Sequence, residues 1–383
     1  MDHVHGDAMS AVRRATPASG GPTRMLPAAA YTSAEVHAWE QRHLFAGSWT
    51  CLGRLDDLFA HDVSQRAVRV GDVPVLLVRD DGLRMFANTC RHRGHELLAE
   101  GETSNRRRVV CPYHAWTYDL SGSLVAARGF RDEPGFDARE HSLVELSVEV
   151  WQGWVFAQAL HRLGSGQVPD LDVHLGDVAG LLAPYDVGSL VLADRHTYDV
   201  AANWKVIAEN YHECYHCPLI HPELCQVTLP DSGDNYDLPG VWIGGSMRLR
   251  DGMATMSTTG ELVATPLPGV DPTKVEYLHV LPNLLVSAHP DYVMTHRMVP
   301  LAADRTWVEC SWLVAAGDPA KKAAGAVEFW DLTNRQDWAA CESVQRGLAS
   351  PHFAPGPFAP NEDAVAMLVA TIGRAYHHGG FLT

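Results

Sequence analysis

Two short segments carry the tightest constraint in this sequence: Cys90-Arg91-His92 and, further on, Cys111-Pro112-Tyr113-His114. Each offers one thiol and one imidazole. Zinc modules usually draw on C-x2–4-C and H-x3–5-H pairs. Mixed pairs instead suit a [2Fe–2S] centre in which one iron takes two thiolates and the other two imidazoles. Each loop must then send one sulfur and one nitrogen to opposite irons, which C-x-H and C-x2-H spacing allows. Neutral imidazoles raise the potential of such a centre to roughly −150 to +300 mV, suited to accepting electrons. Cys90, His92, Cys111 and His114 are therefore the candidate cluster ligands. Gly94 allows close backbone approach and Pro112 stiffens the second loop. Cys51 has no partner at ligand spacing and reads as a buried thiol.

The surrounding text is strand-like. Arg66–Val70, Val73–Arg79 and Leu83–Ala87 are short β-rich runs, Asp81-Gly82 is a hairpin signal, and Trp151–Gln158 reads as a closing strand. Beyond a Gly/Pro/Asp-rich linker at 161–172, a helix is expected over Asn203–His216 and strands over Val241–Leu249, Tyr277–Ser287, Tyr292–Pro300 and Thr306–Ala315. A second helix follows over Ala320–Leu348. The fold class is α+β: a small all-β domain, then a domain of helices on an antiparallel sheet.

Composition excludes several classes. A length of 383 residues, 46% apolar and 20% charged, describes an ordinary globular chain. No apolar run approaches the ~18 residues of a membrane span. A net charge of −16 argues against nucleic acid. Arg13-Arg14 lacks the apolar stretch of an export signal, so residues 1–27 read as a flexible tail and the protein as cytoplasmic. In a reducing cytosol the eight cysteines are expected as ligands or thiols rather than disulfides.

A second constellation lies in Glu213-Cys-Tyr-His216-Cys-Pro-Leu-Ile-His221. On a helix Glu213 and His216 share a face. Pro218 makes continuation unlikely, so the chain can turn His221 toward the same point. Two histidines plus one carboxylate form a facial triad with open positions. Asp331 and Glu342 have arginines at i+4 and read as solvent-face ion pairs. Asp337 sits among Thr333, Cys341, Ala340 and Val344 without a cation, which is costly unless a metal or hydrogen bonds satisfy it. His212, at i−4 from His216, is a competing ligand, and Asn210 could also reach the pocket.

Cys90-Arg-His-Arg-Gly94, Cys111-Pro-Tyr-His-Ala-Trp116-Thr-Tyr118 and Asn334-Arg-Gln-Asp337-Trp resemble the Rieske non-haem iron oxygenases. The Glu-Cys-Tyr-His-Cys-x-x-x-His-Pro run is similar to the choline, carnitine and glycine betaine oxygenase branch. The resemblance implies a tail (1–27), an N-terminal helix packing on the catalytic domain (28–47), a Rieske domain (48–160) and a helix-grip catalytic domain (161–383). It implies mononuclear Fe(II) held by His216, His221 and Asp337, with Glu213 linking His216 to His114 of a neighbouring subunit in a homotrimer. O2 as co-substrate, and NAD(P)H acting through a separate flavin/iron–sulfur reductase, are also implied. The expected activity is hydroxylation or N-demethylation of a small organic substrate, with Asn210 and Glu213 as catalytic candidates. For a quaternary ammonium substrate, Trp242, Tyr236, Tyr292, Trp312 and Phe353 are the available aromatic faces. An aromatic-ring dioxygenase or O-demethylase, and an electron-transfer protein without oxygenase activity, are the alternatives.

Overall fold

The computed structural model describes residues 7–16, 24–131, 133–160, 169–317 and 320–381. Most of the expected linker, 161–168, lies outside them. The chain divides into two compact units, 41–168 and 1–40 with 169–383.

The first unit is β-rich. Its main sheet contains β1 (Thr50–Arg54), β2 (Gln65–Val70), β3 (Val73–Arg79), β4 (Leu83–Ala87), β5 (Thr103–Ser104), β9 (Glu145–Trp151) and β10 (Trp154–Gln158), in the order β1-β10-β9-β4-β3-β2-β5, with antiparallel pairing. Asp81-Gly82 lies in the β3–β4 connection. The expected closing strand is present as β10 but starts only at Trp154: Trp151 ends β9, and Gln152 and Gly153, both at positive φ, turn one into the other. A smaller sheet of β6 (Val109–Val110), β7 (Thr117–Tyr118) and β8 (Leu124–Ala126) carries the second Cys/His loop. Gly122 turns β7 into β8 at φ +84°, where a Cβ would lie 2.6 Å from the Phe86 ring, so no other residue fits.

The second unit is built on β11 (Val191–Val200), β12 (Asp234–Asn235), β13 (Trp242–Arg248), β14 (Lys274–Val280), β15 (Leu284–Ala288), β16 (Tyr292–Ala302) and β17 (Arg305–Val314). They form one antiparallel sheet in the order β11-β17-β16-β15-β14-β13-β12. The run expected as one strand over Tyr277–Ser287 is broken around Pro282 into β14 and β15. Helix Ala320–Leu348 lies against the sheet, its Ala323, Ala326, Phe329 and Trp330 in one buried cluster with Tyr292, Met294 and Trp312. Strand β11 and the C-terminal helix Asp363–His378 were not anticipated.

Two expectations about the N-terminus are corrected. Asp7–Ala15, assigned to a flexible tail, is a helix with Met9 and Val12 buried, and its Arg13 Nε donates to the Tyr376 carbonyl at 2.7 Å. Residues 41–47, expected with the catalytic domain, fall in the β-rich unit, where Gln41–Phe45 form a π-helical turn.

Candidate metal centres

In the first unit Cys90 and Cys111 are buried beneath two loops of similar design. Cys90 N–H donates to the His95 carbonyl at 2.8 Å, and Cys111 N–H to the Trp116 carbonyl at 2.8 Å. Gly94 and Ala115 donate back to the Cys90 and Cys111 carbonyls, both at 3.0 Å, so each cysteine opens a tight turn. Gly94 takes φ +72° with open space where a Cβ would point. Its role is backbone conformation, not the close approach expected of it. The His92 and His114 rings lie 4.7 Å apart, and His92 stacks on Trp116 at 4.8 Å. The Tyr118 hydroxyl lies 3.4 Å from Cys90 Sγ and accepts the Arg91 backbone N–H at 3.0 Å. His114 Nδ1 is a buried atom with no hydrogen-bond partner. An orphaned imidazole nitrogen beside two buried thiols fits a cluster held by two sulfurs and two nitrogens.

In the second unit the expected helix stops early. Helix Trp204–Tyr211 is capped by the Asn203 side chain, which accepts from Lys205 N–H at 3.0 Å, and ends with His212 as its C-cap. Glu213 and His216 therefore meet in a turn and not on a helix face. The Glu213 carboxylate accepts the backbone N–H groups of Tyr215 and His216, offering the chain an alternative to helical pairing. Pro218 does not end a helix but sits in the first turn of a new one, Cys217–Ile220, with His216 as its N-cap. Cys214 and Cys217 form a disulfide, against the expectation that the cysteines are ligands or thiols.

The turn and helix Ala320–Leu348 bring His216, His221 and Asp337 together. His216 Nε2 is 3.2 Å from His221 Nε2, and Asp337 Oδ1 is 2.8 Å from His221 Nε2 and 3.4 Å from His216 Nε2. Adjacent ligands of an octahedral metal at ~2.1 Å would be about 3.0 Å apart, so the triangle fits one ion with open positions. The opposite ring nitrogens are engaged: His216 Nδ1 with Glu213 Oε1, and His221 Nδ1 with Gln336 Oε1 at 2.7 Å. Each Nε2 is thereby left to face the shared point.

Electrostatics agree with a triangle that draws positive charge. Burial disfavours the His216 imidazolium, yet Asp337 and Glu213 outweigh it and raise its pKa to about 9. Burial likewise opposes the Asp337 carboxylate, but hydrogen bonds from His216 and His221 hold its pKa below the ordinary value. These charges are what a divalent cation would replace.

The rival ligands are used elsewhere. Asp331 binds Arg335 at 2.8 Å and the Tyr198 hydroxyl at 2.6 Å, and Glu342 accepts the Ala201 N–H at 3.1 Å. His212 is buried against His279, with Nε2 and Nδ1 3.2 Å apart. Asn210 does reach the site, its Nδ2 lying 3.5 Å from His216 Nε2.

The triangle lies in the wall of a cavity of about 180 Å³. Beyond the triangle itself, its aromatic lining is Tyr211, His212, Tyr277, His296, Trp330 and Trp338. None of Trp242, Tyr236, Tyr292, Trp312 or Phe353 lines it; Tyr292 and Trp312 are core residues. Gln336 and the cavity aromatics other than His212 escaped the sequence reading. Gln336 had one available signal, its position beside Asp337.

Comparison with known proteins decides the family. A profile described as "Ring hydroxylating alpha subunit (catalytic domain)" matches residues 187–378, half of the chain, and one described as "Rieske [2Fe-2S] domain" matches residues 48–136. The chain belongs to the Rieske ring-hydroxylating oxygenase alpha subunits. The glycine betaine monooxygenase oxygenase subunit of Chromohalobacter salexigens is 30% identical over 375 residues, 87% of this chain and 81% of that one. The carnitine monooxygenase oxygenase subunit of Acinetobacter baumannii is 37% identical over 200 residues, 51% of this chain and 52% of that one. The structure of the quaternary ammonium Rieske monooxygenase CntA with L-carnitine matches at TM-score 0.73 and 26% identity, covering 92% and 96% of the two chains. Naphthalene 1,2-dioxygenase from Rhodococcus sp., at 19% identity and TM-score 0.70, shares the fold.

This oxygenase is accordingly a Rieske domain joined to a helix-grip catalytic domain, the terminal component of a multicomponent system. Its cofactors are a Rieske cluster and a mononuclear iron, with O2 as co-substrate and NAD(P)H electrons arriving through a reductase. The catalytic domain removes the electron-carrier alternative. Among the described residues no helix is long and apolar enough to cross a membrane.

Proposed function

We propose that this oxygenase acts on a small quaternary ammonium compound, hydroxylating next to nitrogen or removing an N-methyl group. The observation that carries the reading is a small aromatic-walled cavity beside the His216–His221–Asp337 triangle, in a chain whose relatives are named for glycine betaine and carnitine. Ring faces suit an ammonium group that cannot donate a hydrogen bond. A volume of about 180 Å³ is below that of drug-sized pockets and leaves a polycyclic arene little room.

In this proposal Cys90 and Cys111 hold one cluster iron, and His92 and His114 the other. His216, His221 and Asp337 hold the mononuclear iron, which when bound supplies O2 activation. Glu213 fixes the His216 ring and tautomer through Nδ1, and Gln336 does the same for His221. The Asn210 amide stands beside the iron-facing nitrogen of His216, placed to orient what enters there. Assembly as a homotrimer, in which Glu213 would also link His216 to His114 of the partner subunit, belongs to this proposal, as does a cytoplasmic location.

The test is NADH and O2 consumption with a surrogate reductase, coupled to product analysis, across ammonium compounds and aromatic acids. Ammonium compounds should stimulate coupled turnover. Turnover confined to aromatic acids would overturn the reading.

A further inference from the structure

The charge layout of the cavity narrows the substrate further. Its inner wall is a chain of rings: Tyr211 and Tyr277 have centroids 6.0 Å apart, Tyr211 and His296 6.4 Å, and His296 and Trp338 6.1 Å. The Tyr211 hydroxyl donates to the Val286 carbonyl at 2.9 Å and the Tyr277 hydroxyl is tied to Met256 Sδ at 3.2 Å. Both tyrosines therefore contribute rings more than hydroxyls. His296 is held neutral by burial, its pKa lowered to about 4, so it adds no positive charge at neutral pH.

Apart from the two histidines of the triangle, the charged side chains lining the cavity are carboxylates: Glu213, Asp231, Asp337 and Asp363. Among the described residues no lysine or arginine lines it. Glu213 and Asp337 are committed to the histidines. Asp231 and Asp363 are exposed and stand where the cavity meets solvent, with Asn235 Nδ2 donating to Asp363 Oδ1 at 2.7 Å. The bland reading of Asp363, a favourable acid in the first turn of helix Asp363–His378, explains its place on that helix and leaves Asp231 unexplained.

We infer that the cavity selects a net cation, an ammonium compound whose other end is an uncharged polar group, over zwitterionic betaines. This rests on the ammonium reading above and deepens it. An ammonium group gains from the ring faces and from the acidic mouth together. With the ammonium group against the rings, a betaine carboxylate would lie at the mouth beside Asp231 and Asp363, where no lysine or arginine lines the cavity to pair with it. Like-charge juxtaposition of this kind is a device for rejecting the wrong ligand. Asn235 can offer an uncharged end a hydrogen-bonding partner without adding charge.

The experiment uses the full chain with its cluster and iron, a surrogate reductase, and coupled product formation from choline, glycine betaine and the neutral carbon isostere of choline. Choline should exceed glycine betaine in kcat/KM by about tenfold or more, and exceed the isostere as well. The double variant Asp231→Asn/Asp363→Asn should raise KM for choline more than it lowers kcat, weaken the salt dependence of kcat/KM, and shrink the choline-to-betaine ratio. A merely structural role for the two acids would lower both substrates' kcat/KM alike and leave the ratio unchanged, which would overturn the inference. Glycine betaine matching or exceeding choline in the wild type would overturn it too, while leaving the ammonium reading intact. Coupled turnover of aromatic acids alone would remove both.

Discussion

At the scale of single residues, the Nε2 atoms of His216 and His221 are available to a metal because the opposite nitrogens are occupied by Glu213 and Gln336. Removing such a partner typically weakens metal binding 10–100-fold. Gln336→Ala should therefore lose its mononuclear iron to a chelator at roughly 10–100-fold lower chelator concentration, while the visible spectrum of the cluster is unchanged. His212→Phe should keep its iron, because His212 faces His279 and not the triangle. Equal iron retention in Gln336→Ala and wild type would remove Gln336 from the site. The Glu213–His216 relationship was legible because both residues lie within one short segment. Gln336 was not, because its partner comes from a turn over a hundred residues away, and adjacency to Asp337 alone does not reveal which way an amide points.

At the scale of elements, local strength decided what could be read. Strands β3 and β4 and helix Ala320–Leu348 match their expected ranges, being bounded by clear turn and breaker residues. The segment Asn203–His216 does not. Its periodicity favours a helix, but the Glu213 carboxylate takes two backbone N–H groups and the Cys214–Cys217 bridge closes the turn, so tertiary and covalent constraints override propensity. Burial also hides relationships between elements. Helix Ala34–Glu40 is joined to helix Trp204–Tyr211 by Lys205 Nζ and Glu40 Oε1 at 2.7 Å, both side chains wholly buried. The Trp204 indole N–H at 2.9 Å and the Tyr376 hydroxyl also donate to Glu40. Lys205→Met leaves that carboxylate without its cation and should cost about 3–5 kcal/mol in denaturant unfolding. Lys205→Met/Glu40→Gln should recover much of it. A loss below 1 kcal/mol in the single variant would show that the pair does not fasten these helices.

At the scale of the whole molecule, several histidines are buried neutral. Burial lowers the pKa values of His174, His279 and His296 to about 4, and those of His212 and His289 well below the ordinary value. A depressed histidine pKa means that the unfolded chain binds the proton first. The stability these groups contribute is fully present above about pH 6.5 and is lost as pH falls toward 4, at up to about 1.4 kcal/mol per pH unit for each group. Glu209, raised to about 7 chiefly by burial, and Asp291, also raised chiefly by burial, slope the other way, two carboxylates against five histidines. Unfolding of the iron-loaded protein should therefore become steadily easier from pH 6.5 to pH 4.5. A flat profile would contradict the buried-neutral assignment.

The two-unit plan was legible because each unit carries its own ligand pattern, whereas the cavity wall was not. Tyr211, Tyr277, His296 and Trp338 come from separate elements, and only the completed sheet and helices gather them. Elemental analysis of the anaerobically purified chain tests the pairing of two metal centres most directly. The wild type should hold about three irons and two acid-labile sulfides per chain. Asp337→Ala should hold about two irons, with the reduced cluster's EPR signal intact. A wild-type chain with two irons, or an Asp337→Ala chain that keeps the third, would contradict a mononuclear iron at His216, His221 and Asp337.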